Sequence, residues 1–245
     1  LNFVEDTLND CQIYTELLKP QSKMLHHSGR DSVRVAHSTL GVKQTLPLFL
    51  AAYRRFEKTR EFSEIAVRIE ALIVRYIYFS DHDTTILFNK LYDAAKCIQE
   101  APNKEKALLG AKDILKSINP KDSQVVSGSQ RVMNMNKNHA LYLLRELENS
   151  LGDGAFLIQA TLEHVYPQKA TVSEWKTAVG RLDPYLSHIG NLTLLASSDN
   201  SKAGNRSFSH KKNKIYKASN IEITRMIAGY LNWGKSPILR RAGYL

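Results

Sequence analysis

The stretch TLEHVYPQKA, residues 161–170, decides how the C-terminal part of this chain is read. It places an acid, Glu163, directly before an imidazole, His164, and closes with Pro167. β-type residues from Ala160 to Val165 predict a short strand. Pro167 has no N–H and cannot continue it as a central, fully paired strand. Consecutive strand residues point to opposite faces, yet at a strand end that frays both Glu163 and His164 can approach one reacting group from different sides. A second strand-like run, NLTLL at 191–195, follows after a short helical stretch, VSEWKTAV at 172–179. In that run Leu192, Leu194 and Leu195 read as core, and Asn191 is the residue left to explain. Ser197 and Ser198 stand where they can cap a following helix.

Outward from this stretch toward the N-terminus the texture is helical. REFSEIAVRIEALIVRYIYF, residues 60–79, sets Phe62, Ile65, Ala66, Ile69, Leu72, Ile73 and Tyr76 at spacings of three and four, one apolar stripe on a 3.6-residue period. HDTTILFNKLYDAAKCIQEA (82–101) follows, with Asp83 or Thr84 as N-cap, and NKEKALLGAKDILKSI (103–118) lies between Pro102 and Pro120. KQTLPLFLAAYRRFEK (43–58) and KNHALYLLRELENSL (137–151) complete the set, the last closed by Gly152 and Gly154. Helical periodicity returns from about Ser201. The expectation is a mainly α chain with a small α+β part: a helical linker or scaffold over 1–150, then an α+β domain over 151–245 with C-terminal helices.

With 245 residues and 43% apolar content the chain has ample material for a core. It has no uninterrupted apolar run long enough for a membrane span and no signal-peptide pattern, so a soluble, cytoplasmic protein is expected. Its two cysteines, Cys11 and Cys97, form no CxxC pair, which argues against a disulfide framework and a structural zinc site. The net charge of +10 is concentrated at one end: residues 201–245 carry ten Lys and Arg against one acid, Glu222. Such a block suits a polyanion, and no amphipathic membrane-anchoring pattern accompanies it.

Three segments form a pattern together: EHVYPQ (163–168), IGNLTLLASSDN (189–200) and FSHKKNKIY (208–216). His-x-x-Pro-Gln followed by Asn-x8-Asn resembles the HNH branch of the ββα-metal (His-Me finger) nucleases. Over about 137–245 the closer resemblance is to the C-terminal nuclease domain of GmrSD-type, modification-dependent restriction enzymes. The resemblance implies a DNA endonuclease of bacterial defence built as a helical region followed by a ββα-metal domain. It implies His164 as general base, Asn191 as the residue holding the loop that orients the imidazole, and Glu163 and Asn200 as oxygen ligands of a single Mg²⁺ or Mn²⁺. Many HNH sites carry Asp where this chain has Glu163, and His where it has Asn200. In the family a ParB-like nucleotide-hydrolysing domain commonly precedes such a helical region, so a partner domain of that kind is expected, and a homo-oligomer would suit double-strand cutting. Lys202, Arg206, Lys211, Lys212 and Lys214 are the expected DNA contacts, with Phe208, Ile215 and Tyr216 as the buried side of the helix that carries the lysine pair.

Blander readings stand beside these. Alone, a histidine before Tyr-Pro is most often packed or at the surface, and a lysine pair is often a solvated helix face. The tandem His26-His27 and the cluster Asp81, His82, Asp83 lack further spaced ligands and read as loop or cap residues. Trp175 and Trp233 read as packing residues, and His188 and His210 as minor candidates for DNA contact. The alternative function is a non-catalytic DNA-binding or assembly module on a degenerate nuclease fold; a third is a helical scaffold whose basic tail binds RNA or a partner protein.

If about four to six phosphates are neutralised, log K for duplex DNA against log salt should slope near −4 to −5, at roughly −0.9 per phosphate. Fluorescence anisotropy across a salt series measures this, and a slope near zero removes the basic block from DNA binding.

Overall fold

The computed structural model describes residues 2–19, 27–57, 59–131, 135–151 and 160–245. The chain divides into two compact units, Leu1–Gly128 and Ser129–Leu245. It is mainly helical, with one two-stranded antiparallel sheet among the described residues. None of its described helices is long and apolar enough to cross a membrane.

The first unit is built from α1 (Asn2–Leu18), α2 (His27–Arg34), α3 (Leu46–Phe56), α4 (Arg60–Ile73), α5 (Thr84–Glu100), α6 (Lys104–Ser117) and α7 (Asp122–Ser129), whose last residue falls in the second unit. The stripe expected on α4 is buried throughout, from Phe62 to Ile73, and Tyr76 lies buried in the π-helical turn that extends it. It packs on α2, α3 and α6, while α5 packs on α3 and α6. Helix starts follow local chemistry. Asp83 accepts a hydrogen bond from the Thr85 N–H at 2.8 Å, and Asn103 from the Lys106 N–H at 2.9 Å, each satisfying a donor that the first turn leaves free. Pro47 sits in the first turn of α3, where a missing N–H costs nothing. Both cysteines are free thiols.

The second unit contains α8 (Lys137–Leu151), β1 (Ala160–His164), α9 (Val172–Trp175), β2 (Leu192–Ala196), α10 (Ser197–Ala203), α11 (Phe208–Lys214), α12 (Glu222–Arg225) and α13 (Lys235–Tyr244). β1 and β2 pair antiparallel with Glu163 opposite Thr193 and His164 opposite Leu192. The units divide before α8, whereas composition changes near 150. The physical reason is packing: α8 lies on β1, β2 and α12, and its buried Glu148 accepts hydrogen bonds from the N–H groups of Glu222 (2.8 Å) and Ile223 (2.9 Å), capping α12. The change near 150 is therefore a change of secondary structure around one core. Gly152 and Gly154, expected to close α8, lie outside the described residues.

Val165, Tyr166, Trp175, Tyr185, Leu195, Phe208, Tyr216 and Trp233 make the centre of that core. Trp233 stacks on Phe208 with ring centroids 5.3 Å apart, and Trp175 meets Tyr166 edge-on at 5.2 Å, so both tryptophans pack as their sequence context suggests. α10 starts at Ser197 with Ala196 as its N-cap and no side-chain cap bond, so neither Ser197 nor Ser198 plays the capping part expected of it. α13 lies against the turn at Ile189–Asn191, and a Cβ built on Gly190 would come within 2.0 Å of the Ile238 carbonyl oxygen. The close approach of backbone to backbone there requires glycine.

Gly190→Ala is therefore expected to destabilise the second unit by about 3 kcal/mol through overpacking. At Gly229 a Cβ meets nothing within 4 Å, so Gly229→Ala should stay within about 0.5 kcal/mol of the parent. Urea unfolding followed by tryptophan fluorescence reports this unit, since the two tryptophans of the chain are Trp175 and Trp233. Equal midpoints for the two variants would contradict the packing at Gly190.

Candidate active site

The chain reverses between β1 and β2 through a loop that a single buried amide holds. Asn191 is fully buried, and all of its side-chain hydrogen-bonding capacity is used. Its Oδ1 accepts from the Tyr166 N–H at 2.9 Å and from Trp233 Nε1–H at 2.9 Å. Its Nδ2 donates to the carbonyls of Tyr166 and Leu186, both at 3.1 Å. The main chain adds a bond from Val165 N–H to Asn191 O at 3.0 Å. Asn191 thus locks the segment just after His164, and being buried it acts by position rather than by touching a reactant.

Beside this loop lies a cleft of about 490 Å³ lined by His164, Glu163, Gln168, Asn200, Lys137 and Lys169, with Met135, Ser187 and Asn205 among its remaining walls. His164 is partly exposed, and its Nε2 accepts from the Gln168 amide at 3.4 Å. Burial, then the nearby charges of Lys211 and Lys137, push its pKa down to about 4. The imidazole is therefore neutral across the neutral pH range, and its acceptor nitrogen is met by the Gln168 amide. An unshifted imidazole would lead to activity rising between pH 6 and 7.5; here that window lies above the titration.

Asn200, on α10, donates through Nδ2 to Thr161 Oγ1 and to the Leu162 carbonyl, both at 2.9 Å. Its Oδ1 has no hydrogen bond among the described residues. Glu163 is buried and accepts on Oε1 from Lys211 Nζ at 2.7 Å and Tyr216 O–H at 2.9 Å. Burial raises its pKa, and the ammonium of Lys211 pulls it back toward the ionised form. Both bonds fall on Oε1, the His164 main-chain N–H also favours the ionised carboxylate, and Glu163 is among the residues that line the cleft. Two hard oxygen donors, one from a carboxylate and one from an amide, suit Mg²⁺ or Mn²⁺, which keep several waters and take few protein ligands. No cluster of three or more His, Cys, Asp or Glu with metal-holding arrangement occurs among the described residues. Asp83 is a helix cap, and His26 lies outside the described residues.

The expected DNA contacts separate. Lys211 is a correction: its side chain is completely buried, and its ammonium is spent on Glu163 and on the His164 and Val165 carbonyls, so it presents no charge to a phosphate. Lys212 is half-buried and donates to the Tyr230 carbonyl at 2.7 Å. Lys202, paired with Asp199 at 3.0 Å, and Arg206, 3.5 Å from Glu174, are well exposed, as is Lys214. Arg241, counted in the basic block, is buried and donates to the carbonyls of Ile189, Gly190, Leu192 and Ile223. His188 is fully buried, accepting from the Gly190 N–H at 3.1 Å, and so cannot touch DNA. Sequence reasoning missed Lys137 and Lys169, the exposed cations of the cleft itself. Lys169 adjoins the His-x-x-Pro-Gln motif and was within reach of notice; Lys137 stands at the start of α8, where no spacing signals it.

Residues 124–245 match the family described as GmrSD restriction endonucleases, C-terminal domain. No curated protein matches the chain.

In the metal-free protein the His164 imidazole should titrate near pH 4, as followed by NMR with His164→Gln for assignment. Between pH 6.5 and 4 the unfolded chain binds a proton at this position that the folded one refuses. This group's contribution to stability is therefore present above 6.5 and lost as pH falls toward 4. A midpoint at or above 6.5 contradicts the burial of the ring.

Proposed function

We propose, on the premise that residues 124–245 belong to the family of GmrSD restriction endonuclease C-terminal domains, that this unit is a metal-dependent HNH-type endonuclease cutting DNA in bacterial defence. The observation that supports it most is the convergence on one cleft of a neutral imidazole, a carboxylate residue, an amide residue and two exposed lysines. Phosphodiester hydrolysis asks for those groups: a base for water, charge to offset the phosphate, and stabilisation of the departing oxygen.

In this reading His164 takes a proton from water at Nε2. The water oxygen forms its bond to phosphorus as the bond from phosphorus to the 3′ oxygen breaks. Gln168, 3.4 Å from Nε2, steadies the ring and is displaced by the incoming water. Lys137 and Lys169 hold phosphate oxygens, and Lys202, Arg206 and Lys214 contact the flanking backbone, which carries no sequence information. Glu163 and Asn200 would hold a Mg²⁺ or Mn²⁺ ion, which when bound supplies positive charge for the developing oxyanion. One base and one metal account for a nick. Double-strand cutting calls for two encounters or a homo-oligomer, and a ParB-like nucleotide-hydrolysing domain is the partner that family resemblance suggests for regulation.

The test is nicking of supercoiled plasmid with Mg²⁺ or Mn²⁺. His164→Ala is expected to abolish cleavage while DNA affinity stays within a few-fold, since the base contributes little to ground-state binding. EDTA should silence the parent. Asn200→Ala should lose most activity at low metal and recover part of it as Mn²⁺ rises. A protein that binds DNA yet never nicks under any of these conditions is the docking module instead, and unchanged Mn²⁺ affinity in Asn200→Ala removes that residue from the ligand set.

A further inference from the structure

Lys211 has no access to solvent, yet it carries an ammonium in the middle of a core. Its three donors are matched to three acceptors: Glu163 Oε1 at 2.7 Å, the His164 carbonyl at 2.8 Å and the Val165 carbonyl at 3.2 Å. The two carbonyls belong to the end of β1, where the ladder to β2 stops at the His164–Leu192 pair. Lys211 thus serves main-chain acceptors at the point where the strand ends. The third acceptor is the carboxylate adjacent to the base in sequence. Tyr216, just beyond α11, is also fully buried and places its O–H on the same Oε1 at 2.9 Å. Burying an ion this deeply is costly, and a hydrophobic residue of similar volume is often as stable or more so. A buried pair whose cation bonds both the backbone of the base and one oxygen of the acid beside it points to a purpose other than stability.

We propose that Lys211, with Tyr216, is a positioning residue of the endonuclease site. It fixes the Glu163 carboxylate through Oε1, and it ties down the main chain on which His164 is carried. The proposal rests on the nuclease reading for its effect on cleavage, and stands apart from it for its effect on metal binding. Ligating carboxylates depend on such outer hydrogen bonds for orientation, and losing one typically weakens metal affinity or activity by about 10-fold to 100-fold. A lysine suits this position better than arginine, because a compact ammonium can serve three converging acceptors that a planar guanidinium fork cannot meet together.

The experiment uses the full chain with Tyr216→Phe, Lys211→Met and Lys211→Arg. Mn²⁺ affinity is read by calorimetry without DNA, duplex DNA affinity by anisotropy in EDTA, and kcat and KM by plasmid nicking. Tyr216→Phe removes one hydroxyl and no charge, so it keeps the test alive if either Lys211 variant fails to fold. Expected for Tyr216→Phe is Mn²⁺ binding weaker by about 10-fold and a lower kcat, with DNA affinity in EDTA within about twofold of the parent. Lys211→Met should lower both more steeply, again without changing DNA affinity or its salt slope, and Lys211→Arg should not restore them. Parent-like Mn²⁺ affinity and kcat in a folded Tyr216→Phe or Lys211→Met variant would overturn the proposal, leaving the cluster merely structural. A reduced salt slope in Lys211→Met would also overturn it, by returning that lysine to the DNA surface. If His164→Ala nicks as well as the parent, the nuclease reading fails, while the Mn²⁺ affinities still decide whether Lys211 and Tyr216 orient Glu163.

Discussion

Everything at this site hangs on the satisfaction of Asn191. A buried amide with four hydrogen-bonding valences is destabilising unless each finds a partner, and here each does: two on the main chain of Tyr166, one on Leu186, one on the Trp233 indole. Those partners come from the segment after β1, the loop before β2 and the region just ahead of α13. Three distant parts of the chain are thereby held to one point, two residues from His164 at its nearest. A site that must hold an imidazole to within fractions of an ångström needs such a fully committed network. A side chain with one valence unmet would have an alternative to move to.

Charge inside the unit follows the same logic. Lys211 and Arg241 look, by composition, like two more members of a DNA-binding tail. In the fold they are internal fasteners, one for the end of β1 and the other for the turn at 189–191. Burial lowers the pKa of Arg241 to about 10, yet the guanidinium stays charged and spreads its donors over the carbonyls of Ile189, Gly190, Leu192 and Ile223. The cations left at the surface are thus fewer than the tail's composition implies, and the cleft draws part of its positive character from Lys137 and Lys169, outside the tail. Burial, and then the charges of Lys211 and Lys137, keep the His164 imidazole beside this cleft unprotonated.

The balance between Glu163 and Lys211 shows how one residue can be read in two ways at once. From sequence, an acid beside a histidine is a candidate ligand; from packing, it is the counter-ion of a buried lysine. In the fold its Oε1 is anchored in the core by Lys211 and Tyr216.

Much of this protein was legible in the sequence by itself. The 3.6-residue stripe on α4, the caps at Asp83 and Asn103, the two β runs and the buried leucines of NLTLL are local patterns, set by periodicity and by the few residues that can cap a helix or end a strand. The spacing of His164, Asn191 and Asn200 also carried the family resemblance, because those residues stand at fixed places on a strand end, a turn and a following helix. What sequence could not decide was burial among like charges. Lys211 and Lys214 lie three apart on one short helix with the same chemistry, yet one is sealed beneath the end of β1 and the other is in water. Their difference arises from which face α11 turns toward Glu163, a contact between residues 48 positions apart. Lys137 likewise joins the cleft only because α8 folds back on β1. Local sequence sets which elements form; which charged side chain ends up in solvent, in the core or at the cleft depends on desolvation, which only the assembled tertiary structure determines.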